Sequence, residues 1–140
     1  MGAERFLDQH REIRNLLKGL HEQLDTASLR MDPAPAFFQI RRLGGYLRQH
    51  FEEERVGLYG RLAASQDAHA AALAHCAELD LCGLESHITE FVRTWSSAGR
   101  IQGDPDGFVL EARAIIAGVG RRIGQEEREI FPLLQWAVAR

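Results

Sequence analysis

Hydrophobic residues recur along this chain at alternating steps of three and four, the spacing of one face of an α-helix. Leu7, His10, Ile13, Leu17, Leu20 and Leu24 form the first such seam and predict a helix from about Glu4 to Leu29. Met31-Asp32-Pro33-Ala34-Pro35 ends it, because proline cannot continue a helix but starts the next one well. Phe37, Ile40, Leu43, Leu47, His50, Glu54 and Leu58 then predict a second helix from about Ala34 to Leu62. Gly44-Gly45 within it costs about 1 kcal/mol each relative to alanine, and allows either a close helix contact or a bend. Ser65-Gln66-Asp67 supplies capping residues for a third helix, about Asp67 to Ser97, with the seam Leu81, Leu84, Ile88, Phe91 and Trp95. Ser96 to Gly107 reads as a loop. A fourth helix, about Pro105 to Val138, carries Phe108, Ala112, Ile115, Ile116, Val119, Ile123 and Ile130, and Pro132 predicts a kink or restart. No two-residue alternation of the β type occurs. The expected fold is all-α, an up-down-up-down four-helix bundle in a single domain over residues 1–140.

Some positions on these seams are polar. His50 and Glu54 are four apart, so they stack on one helical face with Cβ atoms roughly 5–6 Å apart and can reach one metal ion. Residues 122–134 repeat the layout of residues 50–62. Glu126 falls where Glu54 does, Ile130-Phe131 fall where Leu58-Tyr59 do, and Arg122 stands at the position of His50. The spacing leaves Glu126 and Glu127 as alternatives for the inward carboxylate.

The repeat also carries a prediction about height. His10 lies ~19 residues before its loop and His50 ~16 after it, so at about 1.5 Å per residue the two share a level. Arg122 lies ~17 residues after the second loop, which asks for a partner on the third helix near residue 75 to 80. His75 fits that count, whereas His69 is too early and His87 too late. Extended backwards, the Leu81-to-Trp95 seam puts His75 off the core face unless the helix bends between Leu73 and Leu81. The expected constellation is His10, His50, Glu54, His75 and Glu126. Imidazole with carboxylate suits iron or manganese, and also zinc. Left without an ion or a partner, such groups would be costly to bury.

Composition narrows the classes. The 140 residues are 45% hydrophobic and 26% charged, ordinary for one globular domain, and the net charge of −3 with interspersed signs gives no reason to expect nucleic acid. No apolar run approaches the ~20 residues of a membrane span. Cys76 and Cys82 lie on different faces of one expected helix, so a reduced, cytoplasmic protein is expected. There is no Ser/His/Asp or Cys/His arrangement and no phosphate-cradling glycine loop, so no hydrolytic enzyme is expected.

On these residues the chain resembles the hemerythrin-like (HHE cation-binding) family. The match consists of His10 with Ile13 and Leu17, His50-x-x-x-Glu54 with Leu58-Tyr59, His75, and Glu126-Glu127 with Phe131-Pro132-Leu133-Leu134. The resemblance implies a non-haem di-iron centre with a carboxylate bridge and a partly histidine shell. It also implies work on oxygen, nitric oxide or peroxide, or in iron storage and repair. Arg122 departs from the family's pattern, which has a histidine ligand there, and the third helix lacks a paired His-x-x-x-His. Arginine offers only donors and cannot ligate. The expectation is therefore an iron-binding protein with an incomplete di-iron or a mononuclear site, sensing oxygen or nitric oxide or handling iron, with a homodimer as one allowed state. The alternative is a metal-free, degenerate bundle acting as a regulatory or protein-interaction module, with Arg122 paired to Glu54 or Glu126.

Overall fold

A computed structural model describes the backbone of residues 2–138 and the side chains of residues 2–134. Among the described residues it is all-helical, with no strand. Four long helices dominate: α1 (Glu4–Glu22), α3 (Ala34–Glu54), α5 (Ala68–Thr94) and α7 (Pro105–Gln125). Two of them run on. A π turn, Arg55–Tyr59, joins α3 to α4 (Gly60–Ala63), and a second, Glu126–Ile130, joins α7 to α8 (Phe131–Val138).

The long helices pack in a closed circuit, α1 on α3, α3 on α5, α5 on α7, and α7 back on α1. Leu20, Leu47, Leu81, Phe108 and Ile123 are among the side chains that each helix buries in the shared core. Burial of such a side chain stabilises by about 1.5–3 kcal/mol, which is what holds helices of ordinary propensity together. On α1 the inward aromatic is Phe6, at 5% exposure, while the expected Leu7 is 37% exposed. Gly44 marks a close contact: a Cβ there would lie 3.1 Å from Val92 Cγ2 across the α3–α5 interface.

The ends of the helices depart from expectation for local reasons. The first helix stops at Glu22, and Asp25 caps a separate short helix, α2 (Thr26–Met31), by accepting the Ser28 N–H at 2.9 Å. The expected loop of residues 96–107 holds another short helix, α6 (Ala98–Gly103), capped by Ser97. Asp67 and Asp104 cap α5 and α7 in the same way. Near Pro132 the backbone does restart, and the π turn that ends at Ile130 is the reason. Proline has no N–H to give to the preceding turn, so widening that turn costs no further hydrogen bond.

Candidate metal centre

The two π turns begin beside the two seam carboxylates. Glu54 is the last residue of α3 and Glu126 the first of its π turn. π turns of this kind recur at functional sites because the extra residue re-aims side chains within an unbroken helix. Here Glu54 and Glu126 are both fully buried, as is His10, and His50 is 1% exposed. One ligand atom from each of the four lies within 4.8 Å of every other. A single ion could touch all of them.

Hydrogen bonds orient both imidazoles. His50 Nδ1 lies 2.6 Å from Gln9 Oε1, which can only accept, so Nδ1 carries the proton and donates. Gln9 is held in turn by donating to Glu53 at 3.3 Å. His10 Nδ1 lies 2.7 Å from Glu127 Oε2, again an acceptor, and Glu127 is held by Arg14 at 2.7 and 3.1 Å. Both Nε2 atoms are thereby turned into the pocket. His10 Nε2 is 3.1 Å from Glu126 Oε1 and 3.4 Å from Glu54 Oε2, and His50 Nε2 is 3.1 Å from Glu54 Oε2. Outer partners of this type fix the ring and its tautomer when a histidine binds a metal.

The protonation of the pocket follows from crowding. Burial works against a charged His10, but the carboxylates of Glu126, Glu54 and Glu127 outweigh it and raise the group to about 9. Burial also opposes a charged Glu54, yet the hydrogen bond from His10 and the closeness of the His50 ring hold it well below the usual range. Glu126 moves the other way: burial and the neighbouring Glu54 push it up, against the pull of His10 and Arg122. With His10 protonated, its Nε2 donates between Glu126 Oε1 and Glu54 Oε2.

Two further side chains complete the pocket. Tyr59 Oη donates to Glu126 Oε2 at 2.5 Å and accepts from an Arg122 terminal nitrogen. The Arg122 guanidinium sits 5.4 Å from the Tyr59 ring centroid, and its Nε is 3.4 Å from Glu126 Oε2. Burial pushes the Tyr59 phenol upward, so it is a neutral donor here. Sequence reasoning had Tyr59 only as a hydrophobic position. The available signal was its hydroxyl, which Phe131 lacks at the matching place and which a buried tyrosine must satisfy.

His75 does not join the group. It is exposed, as are His69, His87 and His21. Helix α5 is unbroken from Ala68 to Thr94, and Ala70, Ala74, Ala77 and Leu81 occupy its core-facing positions on this stretch. Tyr59 and Arg122 come from elements that pack against α5, the first π turn and α7. The choice between Glu126 and Glu127 resolves with both in use, Glu126 inside and Glu127 behind His10.

The donor set suits a metal ion. Among the described residues, His50 Nε2 and Glu54 Oε1 are buried polar atoms with no hydrogen-bond partner. Leaving such atoms unsatisfied costs about 1–3 kcal/mol each, and both are competent ligand atoms aimed into the pocket. Beside His50 a small polar cavity of about 180 Å³ is lined by Gln9, Tyr46, Gln49, His50 and Glu53. No described helix is long and apolar enough to cross a membrane. Cys76 and Cys82 are both free and exposed.

No match to the chain was found among curated proteins or among solved structures. The family model of the hemerythrin HHE cation-binding domain matches residues 1–134, nearly the whole chain and every residue of the pocket, and the chain belongs to that family.

Proposed function

We propose that the chain is a non-haem iron protein built as an up-down-up-down four-helix bundle, with His10, His50, Glu54 and Glu126 as the ligands. The observation that carries this reading is the pair of orphaned, buried ligand atoms, His50 Nε2 and Glu54 Oε1, in a cluster that also holds His10 and Glu126. Two imidazoles and two carboxylates form a mixed nitrogen and oxygen set that suits iron. Iron held there supplies one-electron redox chemistry and affinity for small oxygen- or nitrogen-containing molecules. The residues do the rest. Gln9 and Glu127 orient the imidazoles, and the surrounding core of Phe6, Phe51, Leu58 and Phe131 excludes bulk water.

The cleft beside His50, about 180 Å³ and lined by Gln9, Tyr46, Gln49, His50 and Glu53, has room for waters or a small molecule. We read the role as sensing of oxygen or nitric oxide, or iron handling, in the cytoplasm, with a homodimer as one working state. Anaerobic loading with ferrous iron followed by air should produce near-ultraviolet to visible charge-transfer absorption that nitric oxide alters. A protein that retains iron but gives no such bands, or bands insensitive to both gases, would contradict the sensing role.

The Arg122–Glu126 ion pair favours a second reading, a metal-free bundle acting through a helix face. Under it, chelator treatment leaves thermal stability unchanged. Under the iron reading, chelation lowers it, because an ion bound only by the folded state stabilises that state.

A further inference from the structure

We propose that the Arg122 guanidinium, tied to Glu126 through Tyr59, stands in place of a second metal ion, so that the pocket takes one ion per chain. The inference rests on the metal-binding reading above and deepens it.

Glu126 divides its two oxygens. Oε1 faces His10 Nε2 at 3.1 Å, on the side of the ligand cluster. Oε2 receives the Tyr59 hydroxyl at 2.5 Å and lies 3.4 Å from Arg122 Nε. A carboxylate that bridges two ions gives one oxygen to each. In this chain the second oxygen already has a cation beside it, and that cation is part of the polypeptide.

The guanidinium is pinned on several sides. It is 5% exposed, donates to Tyr59 Oη, and stacks over the Tyr59 ring. A guanidinium keeps its charge and has no lone pair to offer, so it blocks a metal both electrostatically and chemically. Charge counting agrees. Glu54 and Glu126 bring two negative charges; one divalent ion with Arg122 brings three positive, and a second ion would bring five. An excess of that size is costly in a pocket whose ligands are fully buried. Nor does α5 offer a replacement ligand, because its buried residues are Ala70, Ala74, Ala77, Leu81, Ile88 and Phe91, none with a ligand atom.

The test uses the full-length protein and manganese(II) as the probe, added anaerobically and followed by electron paramagnetic resonance together with metal analysis. The expected result is saturation at one ion per chain with the six-line signal of an isolated ion. Saturation at two ions, with a spin-coupled signal, overturns this inference and leaves the metal-binding reading standing. No binding at all overturns both. Arg122→His removes the cation and adds an imidazole, and should raise the count to two ions. Arg122→Lys keeps a cation and should leave it at one, and it serves where the histidine variant does not fold. A histidine variant that folds and still takes one ion contradicts the role assigned to Arg122.

Discussion

The side chain of Gln9, exposed to solvent on one edge, accepts the Nδ1 proton of buried His50 at 2.6 Å. This contact decides which nitrogen of His50 points into the pocket, and it comes from a neighbouring helix. Gln9→Leu should therefore weaken metal binding by about 10–100-fold while leaving all four ligands in place. Competition against a chelator of known affinity measures it. An unchanged affinity would mean that α3 alone orients the ring.

Tyr59 is the hinge of the buried polar network. Tyr59→Phe keeps the ring and removes the hydroxyl, which leaves Glu126 Oε2 and one Arg122 nitrogen without their shared partner. The metal-free protein should lose about 1–3 kcal/mol of stability, read as a lower denaturant midpoint with an unchanged slope. No loss would show that water replaces the phenol at no cost.

Stability of the metal-free protein should fall as pH rises through the alkaline side of neutral. His10 is raised from 6.5 to about 9, so the folded state holds its proton more tightly than the unfolded state does. That contribution is fully present below pH 6.5 and is lost as pH climbs through about 9. The upward push on Glu126 acts in the same direction at lower pH. Metal binding must displace the His10 Nε2 proton, so affinity should increase over this same interval. Thermal melts of chelated protein across the range check the first statement, and proton release on titration checks the second.

His75→Ala should change neither metal content nor melting temperature beyond the ±0.5 kcal/mol typical of exposed positions. His75 is exposed and outside the four-residue group. Loss of metal in this variant would bring the third long helix back into the site.

Much of the pocket could be read from periodicity, because three of its members lie on hydrophobic seams. His10 shares its face with Ile13, Leu17 and Leu20, and His50 and Glu54 share theirs with Leu43, Leu47 and Leu58, all of them buried. Glu126 was found through the repeat of residues 50–62 at residues 122–134. The His75 expectation failed where height was allowed to outweigh face: Ala74 and Ala77 hold the inward positions while His75 is exposed. The π turns were invisible, since one extra residue in a turn leaves the average spacing of apolar residues nearly unchanged. The same turns bring Leu58 and Tyr59, and Ile130 and Phe131, into the core as adjacent buried pairs. Short helices α2 and α6 were missed because each holds a single buried anchor, Leu29 or Ile101, too little to show a period.

The central claim is that His10, His50, Glu54 and Glu126 hold a metal ion. It is tested most directly by iron analysis after anaerobic loading and desalting, with wild type beside Glu54→Ala/Glu126→Ala. Wild type should keep about one iron per chain and the double variant almost none, since the variant lacks both anionic ligands. Wild type keeping less than about 0.2 per chain, or the variant keeping as much as wild type, would contradict the claim.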